Sequence, residues 1–262
     1  LNNIWISTRE GMVTYDEKHG NFTLVNRDII YSSLCITDGI LFGSENRIYK
    51  YDYKKRSFKS INIKKQEDKG SDVTKYRVQK IIAFSEREAL VATRRDGVYV
   101  LDYQTMRLKR LFSGSNNILQ GAYLSSNGYI YLSFWGQGLF CYEKTGKFIK
   151  RYTKENSDLT NNYVLDIVEK EGFLWLATDG GGINRLELSN ENFSNLYHIA
   201  GDKNSLPVNS VTILYKDENE GLWAGSVRGG VFNIKKSYIR TYKDCPLGYI
   251  NGLSEKSVTS LF

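Results

Sequence analysis

The chain has 262 residues, 41% of them hydrophobic, with 19 tyrosines, 12 phenylalanines and only 2 prolines, which is ample for a large core and excludes a disordered or collagenous chain. Three widely spaced cysteines, Cys35, Cys141 and Cys245, give no disulfide framework or metal-ligand spacing, and no apolar run approaches the roughly 18 residues that cross a bilayer. A net charge of +7 admits a polyanionic partner without naming one.

In chain order, one alternating stretch returns six times: "IWISTREGMVTYD" from Ile4, "ILFGSENRIYKYD" from Ile40, "ALVATRRDGVYVLD" from Ala89, "IYLSFWGQGLFCYE" from Ile130, "LWLATDGGGINRLEL" from Leu174 and "LWAGSVRGGVFNIK" from Leu222. Trp5, Leu41, Leu90, Tyr131, Trp175 and Trp223 are its equivalent positions, at steps of 36, 49, 41, 44 and 48 residues. Between the second and third copies, Lys54, Lys55, Arg56, Lys59, Lys64, Lys65 and Lys69 crowd together. Lysines there guard an outer strand against edge pairing, so nucleic acid is not expected. A second element leads into the later copies as "SDLTNNYV", "NSLPVNSV" and "NGLSEKSV", with Leu159, Leu206 and Leu253 each followed five residues on by Val164, Val211 and Val258.

Within each copy, apolar and polar residues alternate with period two on both sides of a glycine turn, which reads as strand, hairpin, strand. Gly180–Gly182 could instead cradle a phosphate. The residues after them, "INRLEL", alternate as a strand does, whereas a nucleotide loop opens a helix, so the glycines turn the chain. Four short strands fit each repeat. In the last complete one they are "SVTILYKD", "GLWAGS", "GVFNIK" and "YIRTYK". Four antiparallel strands per repeat of this length is the blade pattern of a β-propeller. The chain therefore reads as all-β, a β-propeller of four-stranded antiparallel blades with six repeats, either six-bladed or part of a seven-bladed ring. Residues 1–262 form a single propeller domain in this reading, a fragment of a longer multidomain protein. The N-terminus supplies strands two to four of one blade, and the C-terminal "SVTSLF" is expected to pair with it as the first strand.

Function on such a scaffold sits in the loops. The second-to-third-strand hairpins carry Arg9-Glu10, Glu45-Asn46-Arg47, Arg94-Arg95-Asp96, Trp135-Gly136-Gln137, Asp179 and Val227-Arg228 at their tips. Guanidinium groups bind carboxylate or sulfate in bidentate fashion, and an aromatic face suits a sugar ring. The expected ligand-binding set is Arg94, Arg95, Trp135, Arg228, Arg9, Arg47, Gln137 and Asp179, for an oligosaccharide, with the arginines suggesting an acidic one; solvated turns are the competing reading. His19 and His198 fall in different blades, away from those tips, and no Ser/His/Asp or Cys/His arrangement is visible. A carboxylate pair of Asp179 with Glu10 is left open. No catalytic residue, metal or cofactor is expected.

"NSLPVNSVTILYKDENEGLWAGSVRGGVFNIK" and "SDLTNNYVLDIVEKEGFLWLATDGGGINRLEL" resemble the two-component regulator propeller repeat: Asn/Ser-Leu-x4-Val-x-x-Ile/Leu, an acidic turn, Leu-Trp, then Gly-Gly and a hydrophobic residue. The resemblance implies the periplasmic sensor region of a hybrid two-component regulator, which senses glycan fragments and controls polysaccharide-utilisation genes without chemistry of its own. It also implies adjacent propeller or sandwich domains, a homodimer in the full-length protein, and anchoring to the inner membrane by a part outside this region, with no direct membrane insertion here. Two alternatives stand beside it. One is a protein–protein scaffold using Tyr238, Tyr242 and Tyr249. The other is a propeller lyase acting on glycans.

Overall fold

The structure is a computed structural model that describes residues 3–8, 10–63, 73–114, 117–202, 204–234 and 239–242. The period-two alternation does form strands, grouped among the described residues into six antiparallel sheets in each of which neighbouring strands are consecutive in the chain. The first holds β1 (Asn3–Thr8), β2 (Gly11–Asp16) and β3 (Asn21–Asn26). The second holds β4 (Ser32–Ile36), β5 (Gly39–Gly43), β6 (Arg47–Asp52) and β7 (Ser57–Asn62). The third holds β8 (Val78–Ala83), β9 (Glu88–Thr93), β10 (Gly97–Asp102) and β11 (Arg107–Ser113). The fourth holds β12 (Leu119–Leu124), β13 (Tyr129–Phe134), β14 (Gly138–Glu143) and β15 (Phe148–Tyr152). The fifth holds β16 (Val164–Lys170), β17 (Phe173–Thr178), β18 (Ile183–Glu187) and β19 (Phe193–Leu196). The sixth holds β20 (Val211–Lys216), β21 (Leu222–Ser226), β22 (Gly230–Ile234) and β23 (Ile239–Tyr242).

The four strands expected of the last repeat are therefore present, each within two residues of its predicted bounds. Among the described residues the first sheet has three strands. The expected partner "SVTSLF", with Leu253 and Val258, lies outside them, as do Cys245, Tyr238, Tyr249, Lys64, Lys65 and Lys69. Lys59 lies on β7, the exposed outer strand of the second sheet, as the edge argument requires.

The chain forms two compact units, residues 1–119 and 120–262. Each is built by burying sheet faces against neighbouring sheets. In the first, Leu41 and Ile48 of the second sheet pack with Val78, Ile81, Val91 and Leu101 of the third. In the second, Leu139 and Cys141 meet Val164, Leu174 and Leu176, while Trp175 and Ile183 on the fifth sheet meet Val211, Ala224 and Phe232. Alternation along β17 thus serves two neighbours: Leu174 and Leu176 face one sheet, Trp175 and Ala177 the other.

The repeated hydroxyl has a fixed task. Thr8, Thr93, Thr178 and Ser226 each donate to the carbonyl of Gly11, Gly97, Gly182 or Gly230 at 2.7–3.0 Å, and Ser44 does so to Arg47 at 3.2 Å. The hydroxyl ends the second strand and clamps the start of the third. The triple glycine is likewise used up by the fold. Gly182 has φ of 73°, and a Cβ there would stand 2.1 Å from the Leu196 carbonyl oxygen. Its N–H donates to Asn209 O at 2.8 Å. The glycines turn the chain and let backbones close on one another.

Candidate functional site

The segments entering the first strands are bonded to the hairpins between second and third strands, so both gather at one end of the blades. In the second unit Gly138 N–H donates to Asn162 O (2.8 Å), Asp179 N–H to Tyr163 O (3.0 Å) and Val227 N–H to Ser210 O (3.0 Å). The side chains of Asn162 and Asn209 complete the knot by accepting from the backbone N–H of Lys154 and His198, at 2.9 and 2.7 Å. A row of side chains results: Trp135, Tyr163, Asp179, Ser210, Arg228.

Trp135 and Tyr163 meet edge to face, with ring centroids 5.0 Å apart at 77°, yet remain 47% and 39% exposed. Gly136 makes this possible, because a Cβ there would lie 3.3 Å from the Tyr163 ring. Next in the row, the Ser210 hydroxyl donates to the Asp179 carboxylate, and Asn161 Nδ2 holds the Asp179 carbonyl at 2.7 Å. Arg228 ends the row, exposed and in the left-handed region at φ of 61°. Gln137 is held differently: Arg151 donates to its carbonyl (2.6 Å) and to Oε1 (3.0 Å), leaving only the amide nitrogen for a ligand. An apolar ring pair, a carboxylate, a hydroxyl and a guanidinium in sequence offer stacking and both senses of hydrogen bonding.

The first unit carries Arg47, Arg94 and Arg95, and it engages the Arg47 guanidinium internally. Arg47 donates from Nε to Asn62 Oδ1 and from Nη1 to Tyr49 Oη, both at 3.0 Å, while the Tyr49 hydroxyl donates to Asp28. Arg94 N–H donates to Arg77 O (2.8 Å), and Arg77 grips Glu45 at 3.0 and 3.4 Å while lying 4.3 Å over the Tyr31 ring. The Tyr31 phenol is pushed up by burial and by its bond to Glu45, against the pull of Arg77 and Arg94. Arg95 is half-buried with its N–H on Lys75 O (3.0 Å). Its neighbour Asp96 is held by Arg110 (2.8 Å) and by the Tyr99 hydroxyl, whose phenol is pushed well above its ordinary value by burial and by Asp96.

The expected residues therefore divide. Trp135, Gln137, Asp179 and Arg228 stand on the second unit and Arg47, Arg94 and Arg95 on the first, while Arg9 lies outside the described residues. The open carboxylate pair joins residues of different units, and Asp179 is already engaged by Ser210. Tyr163 and Ser210 were not anticipated. Their signal is positional: each precedes the valine of the repeated Leu-x4-Val element. His19 is exposed with Nδ1 2.7 Å from Asp16, and His198 donates from Nδ1 to Leu206 O at 2.7 Å. Among the described residues no group of three His, Cys, Asp or Glu side chains is placed to hold a metal, and no helix is long and apolar enough to cross a membrane.

No family model and no curated protein matches the chain. Solved structures do. The extracellular domain of the hybrid two-component system BT3049 from B. thetaiotaomicron is 19% identical, with a TM-score of 0.64 over 91% of this chain and 38% of that one. The extracellular domain of BT4673 from the same organism, described as a one-component system, is 17% identical, with a TM-score of 0.53 over 96% of this chain and 41% of that one. YCF48 bound to D1 peptide is 14% identical, with a TM-score of 0.66 over 92% of this chain and 77% of that one. The chain spans about two fifths of the two sensor domains it matches. Its six sheets are the blades of a β-propeller, and the resemblance read from the repeats has its counterpart in the extracellular domain of a hybrid two-component system.

Proposed function

We propose that the chain is a ligand-sensing propeller module from the extracellular or periplasmic part of a two-component sensor, and that it recognises an oligosaccharide without transforming it. The observation that carries the reading is the exposed Trp135–Tyr163 pair continuing into Asp179, Ser210 and Arg228. Sugar rings present an apolar face bordered by hydroxyls, and this row offers an aromatic platform bordered by a carboxylate, a hydroxyl and a guanidinium. The similarity to sensor domains supports the signalling half of the proposal. Control of polysaccharide-utilisation genes, dimerisation and contact with further sensor domains would follow from the parts of such a protein beyond this one.

A peptide is the second occupant to test, because YCF48, of like fold, is bound to a peptide. Titration calorimetry against neutral and acidic oligosaccharides and extended peptides, with products checked in the same samples, separates the readings. A saccharide bound without turnover, and weakened about tenfold or more by Trp135→Ala, is the expected result; a tenfold loss corresponds to about 1.4 kcal/mol. Turnover of the saccharide, or affinity indifferent to Trp135→Ala, would overturn it.

A further inference from the structure

A cleft of about 400 Å³ opens in the first unit, between the turn after β3, the β5–β6 hairpin and the end of β7. Arg27, Ile29, Tyr31, Asn46, Arg47 and Asn62 line it, and none of them belongs to the Trp135 row. Its two carboxylates are already matched. Asp28 accepts from the Tyr49 hydroxyl with Arg47 at 3.8 Å, and Glu45 is gripped by Arg77. Arg27 is exposed and makes no side-chain hydrogen bond or ion pair among the described residues. The cleft therefore has a surplus guanidinium.

That guanidinium stands on a fixed turn. Asp28 N–H donates to Asn26 Oδ1 at 2.8 Å. Gly11 packs so closely that a Cβ there would lie 2.7 Å from Arg27 Cα. Beside it, Ile29 is 40% exposed and Tyr31 half-buried, an apolar flank for a ring. Asn62, whose Oδ1 accepts from Arg47, also lines the cleft and carries an amide that can donate. The volume suits one or two sugar rings.

We propose that this cleft is a separate site for an acidic sugar, whose carboxylate or sulfate pairs with Arg27 while its ring lies along Ile29 and Tyr31. The proposal rests on the reading of the module as a saccharide binder, although on different residues. Titrations with sodium glucuronate, glucose 6-sulfate, glucose and inorganic sulfate test it. Glucuronate or glucose 6-sulfate should bind about tenfold or more tighter than glucose, and whichever binds identifies the anion. Arg27→Gln should abolish that preference with the melting temperature unchanged, and Trp135→Ala should leave it intact. Glucuronate and glucose 6-sulfate binding no better than glucose, or indifferent to Arg27→Gln, would overturn the site. Inorganic sulfate as tight as the acidic sugars would overturn its sugar specificity. Failure of the Trp135 row shows only with neutral oligosaccharides and Trp135→Ala, so the two proposals fall separately.

Discussion

At the scale of single residues, the repeat motif is a set of backbone clamps. Thr178 is fully buried and its hydroxyl bonds Gly182 O at 2.8 Å. Thr178→Val keeps the shape and removes the bond, and should cost about 1 kcal/mol, read as a lower urea midpoint. Glycines separate by environment. Gly182→Ala meets both the left-handed φ and the Leu196 carbonyl, and should cost about 3 kcal/mol, whereas Gly128, at φ of 86° with nothing within 4 Å of a Cβ, should cost about 1 kcal/mol as alanine. Equal costs at the two positions would show that φ alone matters. The fourth blade replaces the hydroxyl residue with Phe134, where Gln137 N–H bonds Phe134 O at 2.9 Å and Arg151 grips Gln137.

At the scale of elements, the turns after the third strands repeat a second device. Asp52 and Asp102 accept from backbone N–H groups two and three residues on, and Asp16 accepts from Lys18 N–H and from the His19 ring. These bonds hold all three carboxyls below the ordinary aspartate range; the leading cause is His19 for Asp16, the Lys55 N–H for Asp52 and the Thr105 N–H for Asp102. A carboxyl with a lowered folded pKa binds fewer protons folded than unfolded, so it stabilises the fold fully above about pH 4 and loses that contribution as pH falls through the folded value. Stability measured by urea at pH 5 and pH 3 should drop less in the triple variant Asp16→Asn, Asp52→Asn, Asp102→Asn than in the parent. An unchanged drop would remove the turns from the account. The strands and hairpins were legible because they recur: a period of two around Trp175 and Trp223, read six times, outweighs any one eroded copy. The site was legible only in part. Trp135 and Asp179 sit on the repeated hairpins, but Tyr163 and Ser210 come from entering segments that the sequence reading used only for Leu159, Val164 and their equivalents. Whether Arg47 faces a ligand or Tyr49 depends on strand pairing that no single repeat reveals.

At the scale of the molecule, the blades within each unit leave little room for movement against one another. Sheets within each unit share buried faces, and cross-sheet bonds such as Leu214 N–H to the buried Asp166 carboxylate (3.0 Å) and Ile81 N–H to Ser32 Oγ (2.9 Å) tie one first strand to the next. A ligand acts on a signalling equilibrium only through differential affinity for two arrangements. With the blades of each unit tied in this way, those arrangements are not expected inside a single blade. Hydrogen exchange with and without saturating saccharide checks this. Protection should rise at the row, around residues 135–137, 161–163, 179–181, 208–210 and 227–229, and stay unchanged in β13, β17 and β21. At a hundred times Kd the same ligand should add about 2.7 kcal/mol of stability, a rise of several degrees in melting temperature that a tenfold loss of affinity in Trp135→Ala would roughly halve at that concentration. Altered protection spread through β17 and β18 would mean that the blade itself is the switch, and the rigid-module account would then be wrong.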